Sequence, residues 1–357
     1  MPFQRLRRAW SQRHDPVIRP YIGQVIERRL LLGGRVLRQG PLHDVDVASP
    51  RHRNLYNMYR SFVTTKVAGA RLRASFGAAD ATVTTDSGGY FSLEMDLPEA
   101  VGGPLWQEVR FELIEAAHYQ GAPVRAIGQV LVHPSRSRYA VISDVDDTVL
   151  ASNVTRKYRM LLTVLLSNAH TRKPLAGVGA FYRALERGQG DEHNPIFYVS
   201  NGPWNLHDLL VEFFQLNRIP LGPIHLRDWG AHLFLSPKPA GTHKRAQIDK
   251  IMTTFAQMPV ILIGDSGEHD ADIFAGIARQ FPMRVRAIYI RSTAHGEPQD
   301  TAIDALADDL RATGTAFEFV ADSEAAAAHS VAIGLIPAEA LDAVRRDRRE
   351  DERGPSG

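Results

Sequence analysis

The sequence predicts an α/β protein in which a parallel sheet with crossover helices follows a smaller β-sandwich. Three features of the 357-residue chain lead to this prediction. Apolar and polar residues alternate strictly in short segments between residues 24 and 132. From about residue 139, nearly continuous apolar runs alternate with helical patterns, and polar residues directly follow several of these runs. A chain of this length is sufficient for two ordinary domains.

Residues 1–20 form a basic N-terminal segment in which four arginines precede residue 14. Phe3, Leu6 and Trp10 recur within it at helical spacing. Two interpretations remain open. The segment is either a short amphipathic helix that lies on anionic lipid, or a solvated and frayed terminus.

Residues 21–135 have the pattern of half-buried strands. The clearest alternation places Phe91, Leu93, Met95 and Leu97 between Ser92, Glu94 and Asp96. Alternation of this kind puts one face of a strand on a core and the other in water. The turn residues 86–89 separate two such segments. Short strands joined by turns predict a small β-sandwich, and we find no cluster of chemically active residues within it.

Composition narrows the class of protein. The chain is 44% hydrophobic and 23% charged, with a net charge of +2, so nothing in its overall charge predicts nucleic-acid binding. It has no cysteine, which excludes disulfides, thiolate metal sites and a cysteine nucleophile. No apolar run approaches the roughly 20 residues that cross a bilayer. We therefore expect a cytoplasmic protein, with peripheral contact to an anionic membrane surface left open.

Residues 136–335 have the pattern of a parallel sheet. The apolar runs are 139–142, 196–199, 260–263 and 285–290, and the helical patterns lie near 203–217, 242–257 and 269–280. Strands covered on both faces are apolar throughout, and their ligands bind at the carboxyl ends. Asp144, Ser200 and Asp265 each follow one of these runs. The functional site is therefore predicted at this edge of the sheet.

Carboxylates dominate the predicted site. Asp144, Asp146 and Asp147 directly follow the first run, and carboxylates are costly to bury without a cation. Mg²⁺ prefers carboxylate oxygens, and phosphoryl transfer needs neutralisation of the phosphate charge. Asp144 is the predicted nucleophile, and Asp146 is predicted to move the proton. The predicted metal ligands are Asp144, Asp146, Asp265 and Asp270, whereas the sequence leaves the role of Asp147 open.

Further residues complete this hypothesis. Lys244 begins a helical pattern one crossover before Asp265, and we expect it to balance the charge of the nucleophile and the phosphate. We prefer it to Lys238, which prolines flank. Ser200 and Asn201, close to a predicted helix start, are candidates for binding the phosphoryl oxygens. Arg227 either binds a phosphate or forms a structural ion pair.

These motifs resemble a known superfamily. Residues 144–148, Ser200, Lys244 and residues 264–270 are similar, in order and spacing, to the four motifs of haloacid dehalogenase-like phosphatases. Segments 197–206, 224–229 and 261–268 look like the catalytic domain of App1-type phosphatidate phosphatases. The resemblance implies a Rossmann-like sheet in residues 136–335 and a Mg²⁺-dependent enzyme that converts phosphatidate to diacylglycerol. The chain departs from the family pattern at Gly202, where a second serine is expected.

The sequence features that bear on the choice of substrate are weaker than those of the catalytic motifs. Residues 156–166 place basic residues before an apolar run, which suits either a lipid phosphate entering from a membrane or a cap helix packing on the sheet. The alternatives to a lipid phosphatase are a phosphatase of soluble phosphomonoesters and a membrane-associated scaffold with a degenerate site. Residues 336–357 are predicted to be a charged tail, with a fraying helix end followed by disorder. The sequence does not predict an oligomeric state.

Overall fold

The structure is a computed structural model that describes residues 15–26, 28–38, 65–133, 136–145, 176–227, 242–266, 269–292 and 300–353. The chain divides into two compact units, residues 1–135 and 136–357. Asp146, Asp147, Lys238 and the basic segment up to residue 14 lie outside the described residues, as does the stretch 156–166.

The first unit is a mixed sheet, with nine strands in the described part of the chain. These are β1 (Pro16–Pro20), β2 (Gly23–Ile26), β3 (Arg29–Arg38), β4 (Thr65–Lys66), β5 (Arg71–Phe76), β6 (Ala79–Thr84), β7 (Tyr90–Asp96), β8 (Trp106–Glu115) and β9 (Arg125–Val132). The order is β1-β3-β2-β9-β8-β5-β6, and β4 and β7 also pair with β3. The pair β2–β9 is parallel, whereas the other pairs are antiparallel.

The alternation in the sequence builds this sheet. Along β7 the residues Phe91, Leu93 and Met95 are buried and their neighbours are more exposed. The predicted turn also forms, because the Asp86 carboxylate accepts hydrogen bonds from the backbone N–H groups of Gly88 at 2.7 Å and Tyr90 at 2.9 Å. The described strands are connected through hydrogen bonds into one network that branches at β3, and the predicted arrangement of two packed sheets stays a prediction.

The second unit contains a parallel sheet, which confirms the α/β class. Its strands among the described residues are β10 (Ala140–Asp144), β11 (Ile196–Pro203), β12 (Ile224–Arg227), β13 (Val260–Asp265), β14 (Val285–Arg291) and β15 (Ala316–Val320). They lie in the order β12-β11-β10-β13-β14-β15, and every pair is parallel. The sheet therefore reverses its strand order at β10, which carries Asp144 at its end.

Seven described α-helices accompany this sheet. They are α1 (Val178–Arg187), α2 (His207–Leu216), α3 (Thr242–Thr254), α4 (Asp270–Gln280), α5 (Asp300–Arg311), α6 (Ser323–Ala332) and α7 (Ala338–Arg353), with a 3₁₀ turn at Trp204–Leu206 before α2. The helices α2, α3 and α4 occupy the three segments in which the sequence pattern predicts helices. Among the described residues, no helix combines the length and the apolar character that crossing a membrane requires.

Residues 338–353 form α7, so the helix continues through a segment in which the sequence predicted a fraying helix end followed by disorder. Val344 on this helix is fully buried. The Asp347 carboxylate accepts a hydrogen bond from the backbone N–H of Ala180 at 2.9 Å, and the Asp351 carboxylate accepts one from Gly177 at 2.9 Å. Acidic side chains, together with apolar residues such as Val344, attach this helix to the rest of the unit, and the dense charge of the segment concealed this packing in the sequence.

These two acids cap α1 from a distant part of the chain. Gly177 precedes the helix in the left-handed conformation, with φ 74°, and offers no side chain for capping. The first turn of α1 has no acidic residue of its own. Helix N-termini carry N–H groups without intrahelical partners and a partial positive charge. The carboxylates of α7 satisfy both requirements.

Replacing Asp347 by Ala should lower the free energy of unfolding by about 1–2 kcal/mol, because a helix cap is lost. Urea denaturation followed by circular dichroism measures this change. Asp342→Ala is the control, since Asp342 lies on the same helix with a side chain that is 75% exposed. We expect the control to change the stability by less than about 0.5 kcal/mol. Equal losses in the two variants would contradict the capping role of Asp347.

Candidate active site

Three buried carboxylates meet at the carboxyl ends of neighbouring strands. Asp144 ends β10, Asp265 ends β13, and Asp270 is the first residue of α4. Each side chain offers an oxygen that lies within 4.8 Å of those of the other two, and all three residues are at most 1% exposed. The parallel pairing of β10 with β13 brings the first two together.

Lys244 lies between two of these carboxylates. Its Nζ is 2.8 Å from Oδ1 of Asp144 and 2.5 Å from Oδ1 of Asp270. The residue is 1% exposed, and it shares the inner face of α3 with Ile248 and Ile251. Packing of this apolar face against the core therefore carries the ammonium group into the acidic cluster, where it offsets part of the negative charge.

Asp270 contacts the rest of the cluster through both of its carboxylate oxygens. Oδ1 contacts the Lys244 ammonium, and Oδ2 accepts a hydrogen bond from the backbone N–H of Asp265 at 3.2 Å. This approach requires Gly264, because a Cβ atom at that position would lie 2.8 Å from the Cβ of Asp270 and 2.7 Å from the ring of Phe274. The glycine therefore lets α4 begin directly against the end of β13.

His269 does not enter the cluster. Its side chain is 83% exposed and lies 3.8 Å from the carboxylate of Asp272. The residue precedes α4 with a φ of 62°, so it forms the left-handed turn by which Asp270 reaches the site.

The chemistry of this donor set fits a hard divalent cation. Three carboxylates and one ammonium leave a formal excess of two negative charges in a buried cluster. Burial of uncompensated charge is costly, and the oxygen atoms are the ligand type that Mg²⁺ prefers. The residues of this site therefore fit a magnesium ion.

Ser200 and Asn201 lie on β11, the strand that pairs with the Asp144 strand β10. Asp144 pairs with Val199 in the parallel register, so Ser200 follows directly at the same edge of the sheet. Both polar residues are buried. The Ser200 hydroxyl accepts a hydrogen bond from the backbone N–H of Gly202 at 2.9 Å. A Cβ at Gly202 would lie 3.0 Å from this hydroxyl, so the glycine accommodates the turn at the position where a second serine was expected.

Arg227 lies farther along the same edge. It ends β12, which pairs with β11 and is thus separated from β10 by one strand. His225, two residues earlier on the same strand, is partly buried, and desolvation lowers the pKa of this histidine to about 4. The structure therefore brings together Asp144, Asp265, Asp270 and Lys244 with Ser200 on the neighbouring strand, and it places Arg227 two strands away from Asp144.

The structure also reveals polar residues that the sequence pattern did not identify. The Tyr182 hydroxyl on α1 lies 2.7 Å from the Ser143 hydroxyl, which in turn lies 2.7 Å from the backbone carbonyl of Asp144. The spacing of Phe181, Tyr182 and Leu185 predicts a helix with these side chains toward the core, and it indicates no further role for Tyr182. The available signal was Ser143 itself, a hydroxyl inside an otherwise apolar buried run.

Comparison with known families gives a match in this region. Residues 139–292 match the family described as "Phosphatidate phosphatase APP1, catalytic domain". The matched segment contains all the residues that form the carboxylate cluster.

Two curated fungal proteins are similar to the chain. Phosphatidate phosphatase APP1 of Saccharomyces cerevisiae is 33% identical over 152 residues, which is 42% of this chain and 25% of that protein. The uncharacterized protein C29B5.04c of Schizosaccharomyces pombe is 29% identical over 223 residues, which is 60% of this chain and 34% of that protein. The aligned regions thus span about a third or less of these relatives.

Solved structures are only distantly similar. A carbohydrate acetylesterase from Xanthomonas citri aligns with 92% of this chain and 71% of its own, at 10% identity and a TM-score of 0.32. A likeness at this level carries no conclusion about fold or function.

Replacing Lys244 by Met should lower the free energy of unfolding by about 3–5 kcal/mol, because two buried carboxylates lose the ammonium between them. Urea denaturation in the presence of a chelator measures the loss. Lys250→Met is the control, since Lys250 is an exposed lysine on the same helix. If the two variants were equally stable, the assignment of Lys244 as the balancing charge would be incorrect.

Proposed function

We propose that residues 139–292, which match the catalytic domain of APP1-type phosphatidate phosphatases, form such a domain, and that the chain hydrolyses phosphatidate to diacylglycerol and phosphate. The observation that carries the proposal is the position of Asp144. It ends a central parallel strand, contacts Lys244, and lies with Asp265 and Asp270 in one buried cluster. We further propose that the parallel sheet is the Rossmann-like sheet of a haloacid dehalogenase-like phosphatase.

Asp144 is the proposed nucleophile. Its carboxylate attacks the phosphorus atom, a bond forms between Asp144 and phosphorus, and the bond from phosphorus to the diacylglycerol oxygen breaks. Water then attacks the aspartyl-phosphate, which releases inorganic phosphate and restores the carboxylate. Lys244 supports this assignment, because its ammonium lies 2.8 Å from Oδ1 of Asp144 and offsets the negative charge of the carboxylate.

Asp146 is the proposed proton carrier. It gives its proton to the departing diacylglycerol oxygen and then takes a proton from the attacking water, so the enzyme returns to its starting state. This assignment rests on the sequence, in which one residue separates the two carboxylates.

Asp144, Asp146 and Asp265 are the residues that would hold a magnesium ion. When bound, the ion supplies positive charge that offsets the charge of the phosphoryl group. Asp270 was predicted as a fourth ligand, and the geometry favours a supporting role. One of its oxygens contacts Lys244 and the other binds the backbone N–H of Asp265, so Asp270 orients both partners.

Ser200 and Asn201 are the proposed contacts of the phosphoryl oxygens. Their location on β11, beside the end of the strand that carries Asp144, suits this role. Arg227 lies one strand farther out, which suits a more distant anionic part of a substrate or of a membrane surface.

Replacing Asp144 by Asn should reduce phosphate release at least about a thousandfold, because the amide keeps the shape of the side chain but is a poor nucleophile. Phosphate release and circular dichroism of the purified full chain test this expectation. Asp272→Asn is the control, since the Asp272 side chain is 83% exposed on α4. Near-normal turnover by the folded Asp144→Asn protein would contradict the proposed nucleophile.

A panel of phosphate esters distinguishes the proposed substrate from its alternatives. We expect phosphate release from phosphatidate in mixed micelles with magnesium, a dependence on the surface concentration of the lipid, and loss of activity with chelator. Magnesium should also raise the melting temperature of the unaltered protein more than that of Asp265→Asn. Faster hydrolysis of soluble esters would favour the soluble phosphomonoesterase, and failure with every ester would favour the scaffold.

A further inference from the structure

We propose that Tyr182 is a positioning residue that acts through Ser143 on the peptide unit carrying the nucleophile Asp144. The inference rests on the proposed role of Asp144. It concerns residues outside the carboxylate cluster, and it assigns a function to the hydroxyl of a tyrosine in the hydrophobic core.

The direction of the hydrogen bonds follows from the donors available. The Ser143 hydroxyl lies 2.7 Å from the backbone carbonyl oxygen of Asp144, which can only accept. Ser143 therefore donates its one hydroxyl proton to this carbonyl oxygen. The contact of 2.7 Å between the Ser143 and Tyr182 oxygens then requires the tyrosine to donate. Burial raises the pKa of Tyr182 above its ordinary value, which keeps this proton in place.

The peptide unit between Asp144 and Val145 is thereby held on both sides. Its carbonyl accepts the Ser143 hydroxyl, and its N–H donates to the backbone carbonyl of Val199 on the neighbouring strand at 3.1 Å. Rotation of this unit would break both hydrogen bonds. Since the unit adjoins the Cα atom of Asp144, its orientation limits where the attacking carboxylate can point.

The surroundings of this relay make its hydrogen bonds difficult to replace. Ser143 is fully buried and Tyr182 is 1% exposed. The Tyr182 ring stacks on Tyr198, with the ring centroids 6.4 Å apart and an interplanar angle of 22°. A hydroxyl that lost its hydrogen-bond partner in this core could not bind bulk water instead, so the neighbouring groups would rearrange.

The core also provides a matched control. Tyr198 is a buried tyrosine on β11 whose hydroxyl donates to the backbone carbonyl of Pro220 at 2.7 Å. Replacement of either tyrosine by phenylalanine removes one buried hydroxyl and keeps the ring. Only the Tyr182 hydroxyl binds Ser143, so any difference in catalysis between the two variants reports on this relay.

The experiment compares the unaltered full chain with Tyr182→Phe, Ser143→Ala, the double variant and Tyr198→Phe. We expect the two tyrosine variants to melt at similar temperatures. In Tyr182→Phe and in Ser143→Ala, kcat for phosphatidate should fall about tenfold with KM unchanged, because the carboxylate is misdirected while substrate contacts remain. The double variant should lose no more than either single variant, since both changes break the same relay.

Several results would overturn the inference. If Tyr182→Phe had the same kcat as Tyr198→Phe, the Tyr182 hydroxyl would have no role in positioning Asp144. If the fold losses in kcat of the two single variants multiplied in the double variant, Tyr182 and Ser143 would act separately. If Tyr182→Phe failed to fold, a normal kcat in Ser143→Ala would equally refute the relay. A lack of activity in the unaltered protein would instead refute the proposed function.

Discussion

The geometry of the second unit depends on the ammonium of Lys244 between the carboxylates of Asp144 and Asp270. Each charge removed from water carries a penalty of several kcal/mol, and the attraction between the groups offsets it only in a close arrangement. This need for a close arrangement of charges explains why Lys244 lies on the inner face of α3 beside Ile248 and Ile251. It also explains why a glycine precedes Asp265, since Asp270 must approach the strand end closely to reach both the ammonium and the backbone. The strand β10 and the helices α3 and α4 are far apart in sequence, and the charges of Asp144, Lys244 and Asp270 hold them together.

The sequence predicted the features that local pattern determines. Strands covered on both faces are uniformly apolar, so β10, β11, β13 and β14 were identifiable, and the polar residues that end three of these runs marked the edge that carries the site. The amphipathic pattern around Lys244 likewise predicted its inward direction. The strand β15 was missed, because its Glu318 and partly exposed residues dilute the apolar run.

Features that depend on distant pairing could not be predicted in this way. Ser143 and Tyr182 are 39 positions apart, and the periodicity of α1 indicates only which face is buried, not which hydroxyl is bound. The joining of the first unit into one sheet depends on strand pairs such as β3 with β7, which alternation within a strand does not specify. The extent of α7 could not be predicted for a related reason, since dense charge usually indicates a solvated segment, and here several charged side chains face other helices.

The capping of α1 by Asp347 and Asp351 has a consequence for the order of assembly. A nascent chain emerges with its earlier residues first, and domains generally fold as units during synthesis. The N–H groups of Gly177 and Ala180 find their partners only after residues 347 and 351 have been made. The start of the helix that presents Tyr182 therefore stays incomplete until nearly all of the described catalytic unit exists. In a ribosome-bound intermediate of this chain, the strand ends that carry Asp144 and Asp265 would therefore be present before α7 can complete the cap of α1.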